Sequence, residues 1–285
     1  MRTYLDCIPC FLSQALRAGR AATSDEALLK VLLDRVGAGI GDIPLDHTPP
    51  EIALRVYDDI REITGVEDPF REAKKRHIAE ALLLYPSMRE RVLNSSDPLR
   101  TAVKIAIAGN VIDLGTGKDI KIKEGIETVL HRPFAIDHME DFRRKLSDAS
   151  DILYLGDNAG ESVFDRLLIE TMGKPVTYAV RARPVINDVT TEEAVESGLG
   201  EVAEIVSSGS PAPAVVPRLC SREFMELFDS SPLIISKGQG NYEGLSGTRR
   251  PVFFLLKAKC PVIAGDMGVS EGDLVLEYSL RGKER

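Results

Sequence analysis

Asp151-Ile-Leu-Tyr-Leu-Gly-Asp157-Asn158-Ala-Gly-Glu161-Ser-Val-Phe-Asp165 reads as a buried strand, a tight turn and a helix start in succession. Ile152 to Leu155 form an apolar run of branched and aromatic residues that stops at Gly156-Asp157-Asn158. Val163, Leu167, Leu168 and Met172 then recur on one helical stripe. In an open α/β sheet such a turn lies at the carboxyl edge of the strands, where ligands bind. Asp157, Asn158 and Glu161 place only oxygen-rich polar groups there, which suits a hard metal ion better than a thiolate-loving one. A cap on the following helix is the plain alternative for Asp157 or Asn158.

Further strand-like runs follow at 176–180, 203–206, 233–235, 252–256 and 262–264. Helical stretches separate several of them, so βαβ units and a mainly parallel sheet are expected. Residues 1 to about 150 read instead as mostly helical. Asp68-Pro69 and Asp97-Pro98 each offer a cap followed by proline in the first turn. Asp137 with Glu140 resembles a capping box for a helix running to about residue 149. The expected division is a helical N-terminal subdomain over 1–100, a helical connection packing on the site over 101–150, and an α/β catalytic domain over 151–285.

Composition narrows the function. The chain has 285 residues, 44% hydrophobic and 28% charged, an ordinary globular balance. A net charge of −8 argues against nucleic acid or an anionic membrane as partner. The N-terminal residues hold no apolar run of signal-peptide length, and Lys257 and Lys259 interrupt the most hydrophobic later stretch. A cytoplasmic protein is expected. Four cysteines do not suggest a disulfide scaffold. Oligomeric state has no signature in the sequence.

Three strand ends finish in polar clusters: 156–161, 180–190 and 235–243. In a parallel sheet they share one edge and can converge. Asp157, Asn158 and Asp188 offer two carboxylates and an amide oxygen to Mg²⁺ or Mn²⁺. Lys237 is a point charge for a phosphate, and Gly238 and Gly240 allow close backbone approach to it. Asn241 would open the next helix and add the field of a helix N-terminus. Arg181 or Arg183 could clamp phosphate oxygens, with a surface ion pair the alternative for at least one of them. Cys7 and Cys10 share a face at a helix start, where the helix N-terminus lowers a thiol pKa. Structural packing, redox tuning, or a zinc half-site completed by Cys220 or Cys260 are all open for them.

The segments GDNAGE at 156–161, RARPVINDVT at 181–190 and SKGQGNYE at 236–243 resemble the motifs of the DUF89 family, the metal-dependent damage-control phosphatases. Cys7-Ile-Pro-Cys10-Phe-Leu and Ala108-Gly-Asn110-Val-Ile-Asp113-Leu-Gly115 are similar to further family motifs, the cysteine pair pointing to its prokaryotic, CxxC-bearing subfamily. The resemblance implies a Rossmann-like three-layer α/β/α domain behind a helical N-terminal part. It implies Asp157, Asn158 and Asp188 as ligands of a divalent metal ion (Mn²⁺, Ni²⁺, Mg²⁺ or Co²⁺). Lys237, Asn241, Arg181 and Glu161 then surround the phosphate or its attacking water, and Asn110 reaches in from the preceding segment. The implied reaction is hydrolysis of small phosphate monoesters, phosphosugars or damaged phospho-metabolites, with Glu161 and Asp188 the nearest candidates for general base.

Two other classes compete. An S-adenosylmethionine-dependent methyltransferase also uses a strand, a glycine and an acidic turn, but the 156–160 turn lacks the usual glycine spacing and leaves Lys237 without a task. A metal- or nucleotide-binding regulatory domain would catalyse nothing.

Overall fold

Capping chemistry sets the helices of the first half. The computed structural model describes residues 1–109 and 122–279. It begins with α1 (Cys7–Ala22), α2 (Glu26–Gly39) and α3 (Pro49–Thr64). Asp25 caps α2 by accepting from the Ala27 and Leu28 N–H groups. Thr48 and Glu51 form a capping box on α3, which ends at the left-handed Gly65. These helices bury Phe11, Leu32, Ile52, Val56 and Ile60 in a core of their own, joined by Val185.

The next helices, α4 (Arg71–Leu93), α5 (Pro98–Ala108) and α6 (Ile122–His131), lead into the sheet. Asp97 caps α5 through the Arg100 N–H, as the Asp-Pro signal predicts. From there the chain alternates: β1 (Phe134–Asp137), α7 (Met139–Asp148), β2 (Ile152–Leu155), α8 (Ser162–Met172), β3 (Val176–Val180), α9 (Thr191–Glu196) and β4 (Glu204–Ser207). It continues with α10 (Arg222–Ser230), β5 (Ile234–Lys237), α11 (Gly238–Leu245), β6 (Val252–Lys257), α12 (Pro261–Met267) and β7 (Leu274–Ser279).

The seven strands lie in the order β1-β7-β6-β5-β2-β3-β4. β2 to β6 run parallel; β7 is antiparallel to β6, and β1 follows β7. One face carries Tyr154, Tyr178, Ile235 and Phe253 against α4, α5, α7 and α8. The other carries Leu153, Leu155, Phe254 and Leu256 against α10, α11 and α12. The architecture is therefore the expected three-layer α/β/α one with a mainly parallel sheet. After β4 the chain returns to the far side of β2 to lay down β5, so a topological switch point opens between the carboxyl ends of β2 and β5.

Three strand assignments fail, each for a physical reason. The run 262–264 lies in α12, which Pro261 opens and the left-handed Gly268 closes; three apolar residues cannot distinguish a strand from a helix face. β1 lies within the stretch read as helical, too short at four residues to show a period. β7 has no place among the sequence-predicted strands, although it pairs along the whole of β6. Helix α4 packs chiefly on α5 and α8, with Ile78, Ala81 and Met88 in the same apolar cluster as one face of the sheet. The motif around Asn110 lies outside the described residues. Among the described residues no helix is long and apolar enough to cross a membrane.

Phe253 sits at the centre of the sheet, edge-on to Phe142 and stacked on Tyr278. Phe253→Ala is expected to cost about 3–5 kcal/mol, measured by denaturant unfolding.

Candidate functional site

The site begins where the β2 turn pairs with the loop after β3. The Val189 N–H donates to the Asp157 carbonyl at 2.8 Å, and the Ala159 N–H donates to the Asn187 carbonyl at 2.8 Å. Asn158 and Asp188 thereby form an antiparallel bridge. This short backbone zipper brings Asp157 and Asp188, thirty-one residues apart, side by side and buried. The loop accepts strain to do so: Ile186 has φ 47°, rare for a β-branched residue. Gly156 permits the turn because a Cβ there would meet the Tyr178 hydroxyl at 2.5 Å.

Arg181 does not reach out to a ligand. It is 1% exposed; its Nε donates to Asp188 Oδ2 at 2.6 Å and its Nη2 to Asn241 Oδ1 at 3.0 Å. Asn241 is equally committed. Its Nδ2 donates to the Gly156 and Lys237 carbonyls, both at 2.9 Å, and its Oδ1 also accepts from the Val215 N–H at 2.7 Å. Those bonds exhaust the hydrogen-bonding capacity of an asparagine amide. Arg183 instead pairs with Asp58 on α3 at 2.5 Å. Arg181 and Asn241 thus brace the site, and neither is among the residues that line the cleft, although Arg181 Nη1 is buried without a hydrogen-bond partner among the described residues.

Lys237 is likewise placed behind the site. It is 0% exposed, and its Nζ donates to Asp165 Oδ1 at 2.7 Å, Ala106 O at 2.8 Å and Glu161 Oε2 at 3.0 Å. Burial alone would lower this ammonium, but Asp165 and Glu161 together hold it above the ordinary lysine value. Tyr154 and Tyr178 donate to the two oxygens of Asp165 at 2.7 and 2.8 Å. Glu161 Oε1 accepts from Asn158 Nδ2 at 2.5 Å. A chain of contacts therefore runs from Asp165 through Lys237 and Glu161 to the Asn158 amide, turning its carbonyl end away from Glu161.

In front of these residues lies a cleft of about 380 Å³. Asp157, Asn158 and Asp188 line it from the strand ends, with Gln239, Gly240 and Glu243 from α11. Gly238 backs it: a Cβ at that residue, which has φ 77°, would lie 1.8 Å from Asp157 Oδ2. Gly240 lets α11 press on the Pro213 carbonyl, 2.6 Å from where its Cβ would stand. Glu161 and Lys237 are not among the lining residues.

Sequence reasoning missed the positive groups that do line the cleft, Lys259 and Arg17. Lys259 follows β6, a parallel strand whose carboxyl end obeys the rule that selected the other three clusters. Arg17 and Tyr57, on α1 and α3, have no such signal, because only the docking of the helices brings them here.

The donor set fits a hard divalent cation. Burial pushes the Asp188 carboxyl up to about 7 even with Arg181 beside it, and Asp157 adds to the rise. Carboxylate and amide oxygens are the donors that a hard divalent cation takes. Two carboxylates and an amide form the whole set; among the described residues no three His, Cys, Asp or Glu side chains gather as a metal site. That same result removes a three-cysteine zinc site. Cys7, Cys10 and Cys260 all line the cleft, whereas Cys220 is bonded to the Val216 carbonyl elsewhere. Burial pushes the Cys7 thiol up to about 11, outweighing any lowering at the helix start.

The chain is similar to known proteins over nearly its whole length. The model of the damage-control phosphatase ARMT1-like domain matches residues 3–275. A damage-control phosphatase of Pyrococcus horikoshii is 33% identical over 282 residues, covering 96% of this chain and 97% of that protein. A damage-control phosphatase of Archaeoglobus fulgidus is 32% identical over 280 residues, covering 94% and 96%. The crystal structure of a DUF89 family protein from Pyrococcus horikoshii superimposes with a TM-score of 0.89 at 32% identity, covering 99% of this chain and 100% of that one.

Two outcomes follow from the burial of charge. Lys237→Ala is expected to destabilise the fold by about 3–5 kcal/mol, since it strands two buried carboxylates, and to weaken Mn²⁺ binding through Asn158; calorimetric titration and unfolding read both. Burial also raises Glu243 to about 7. Its folded-state pKa thus exceeds the unfolded value, so its stabilising contribution is complete at acid pH and is lost as pH rises towards 7. The melting-temperature advantage of Glu243→Gln over the wild type is therefore expected to widen between about pH 5 and about pH 7.

Proposed function

The chain belongs to the damage-control phosphatase ARMT1-like family, and from that premise we propose that it is a divalent-metal-dependent phosphatase of metabolite damage control. Its substrates are small phosphorylated metabolites, phosphosugars or damaged phospho-metabolites. The observation that carries this reading is the pairing of the Asp157 and Asp188 loops at the switch point, which leaves two buried acids and an amide facing one cleft.

Asp157, Asn158 and Asp188 would hold the cation. The oxygen set favours Mg²⁺ or Mn²⁺ and admits Co²⁺ and Ni²⁺. Bound there, it would supply Lewis-acid polarisation of the ester and of a water. The protein does the remainder. Lys259 offers positive charge to the phosphoryl oxygens, the part first assigned to Lys237. Lys237 and Glu161 keep the Asn158 amide turned, and Arg181 holds Asp188 by Oδ2. Water rather than Asp157 is the attacking group, because the Asp157 side chain is committed to the cation. Of the two general-base candidates, Glu161 is enclosed between Asn158 and Lys237, whereas Asp188 lines the cleft.

Free cysteines and a net charge of −8 support a cytoplasmic enzyme. Nothing favours the methyltransferase alternative. The Asp157 turn is filled by Gly238 and the zipper to Asp188, with no open glycine-rich bed for a nucleoside.

Release of inorganic phosphate from p-nitrophenyl phosphate with Mn²⁺ is expected, and EDTA should abolish it. Asp157→Asn and Asp188→Asn should each lower turnover at least about a hundredfold, the scale of losing a transition-state electrostatic contact, with circular dichroism unchanged. Near-normal turnover in either variant at saturating Mn²⁺ contradicts the ligand assignment.

A further inference from the structure

Lys74, in the first turn of α4, is 1% exposed and does not line the cleft. Its Nζ meets Glu193 Oε1 at 2.5 Å and Asp68 Oδ2 at 2.7 Å. Each acid has its other oxygen engaged by the backbone. Glu193 Oε2 accepts from the Thr190 N–H at 2.9 Å and from the Thr190 hydroxyl at 2.5 Å, which closes the capping box of α9. Asp68 Oδ1 accepts from the Phe70 N–H at 3.1 Å, where the chain enters α4. Burial would raise the Glu193 carboxyl, but Lys74 and Thr190 hold it below the ordinary glutamate value. Taking a lysine and a glutamate out of water is costly, and such a pair returns little net stability by itself.

What the pair does fix is the loop that carries Asp188. Thr190 directly follows Val189, whose N–H donates to the Asp157 carbonyl and whose carbonyl accepts from the Arg181 N–H at 3.0 Å. One turn beyond Lys74, α4 also presses on the other side of the zipper: a Cβ at Gly160 would stand 3.0 Å from His77 Cβ. Helix α4 therefore touches both halves, the β2 turn by packing and the loop after β3 by charge. The opposite shoulder of that loop is tied to α3, through Arg183 on Asp58 and Arg61 on the Pro184 carbonyl at 3.3 Å. Ile186, with its φ of 47°, lies between the two ties. A strained residue persists only where its surroundings over-determine it, and the Lys74–Glu193 pair is the tie on the Asp188 side.

We propose that Lys74 is a positioning residue for the metal site: by holding Glu193, and through it Thr190 and Val189, it keeps Asp188 beside Asp157. The inference rests on the reading of Asp157, Asn158 and Asp188 as metal ligands and adds to it a residue from the helical part. Lys74 touches neither cation nor substrate. Its effect lies in the order of the loop and in metal affinity, so turnover returns when the metal is in excess.

The test uses the full-length, metal-free protein, with Mn²⁺ as the probe. In Lys74→Met the amide hydrogens of residues 185–190 are expected to exchange faster than in the wild type, while those of α1 to α3 exchange as before. Calorimetric titration is expected to show Mn²⁺ binding weakened about tenfold, the lower end of what losing an outer support of a metal ligand costs. Turnover of p-nitrophenyl phosphate at saturating Mn²⁺ is expected to come close to that of the wild type. Because Lys74→Met strands the Glu193 carboxylate, the double variant Lys74→Met/Glu193→Gln is the second arm. It keeps an oxygen for the Thr190 cap and removes the stranded charge, yet still lacks the tie. Its melting temperature is expected to recover in part while its Mn²⁺ affinity stays weak. Arg71→Ala breaks an exposed ion pair with Glu192 at 3.1 Å that joins the same two helices, and is expected to leave Mn²⁺ affinity unchanged. Wild-type Mn²⁺ affinity in both Lys74 variants, whatever their melting temperatures, overturns the proposal, as does an Arg71→Ala protein weakened as much as Lys74→Met. A uniform rise in exchange along the whole chain also overturns it, since that reports general stability alone. A wild type that binds no Mn²⁺ defeats the ligand assignment itself.

Discussion

Backbone hydrogen bonds hold Asp157 and Asp188 next to each other against their own repulsion. The zipper between 157–159 and 187–189 is the constraint on which the site depends. Two carboxylates out of water would ordinarily separate or take up a proton. Here neither can move, because the Asp157 carbonyl and the Asn187 carbonyl are both engaged by the opposite segment. The strained φ at Ile186 is part of the same arrangement. What results is a fixed, oxygen-lined seat for positive charge.

Around that seat the protein uses its own cations for support. Arg181 and Lys237 each meet buried acids at 2.6–3.0 Å and are sealed from solvent. Their positions make them rigid. A lysine enclosed by Asp165, Glu161 and a main-chain carbonyl cannot swing toward a substrate, but it fixes Glu161 and, through Glu161, the Asn158 amide. The cleft is left to Lys259 and Arg17, which approach from the end of β6 and from α1.

The helical part contributes more than a cover. α1 to α3 have a separate core, yet they supply the wall on which Arg17, Gln14 and Tyr57 stand. The zipper belongs to the strand ends and the wall to the helices, so a change in one leaves the hydrogen bonds of the other intact.

The sequence by itself determined the strand 152–155, the turn after it, the strand 176–180 and the convergence of three polar clusters on one sheet edge. These features are local: an apolar run, a glycine and a cap are written in consecutive residues, and parallel strands point their carboxyl ends the same way. It also determined which side chains offer oxygen to a cation, since residue type alone decides that. Only the tertiary structure decided that Lys237, Arg181 and Asn241 face inward. Whether a charged side chain lines a cleft or is enclosed behind it depends on which acids other elements bring to it, and Asp165, Asp188 and Glu161 do so through the packing of α8 and the loop after β3. The helix at 261–267, the strands β1 and β7 that run against the other five, and the Arg17–Tyr57 wall were likewise settled by contacts between distant segments, which no short window of sequence contains.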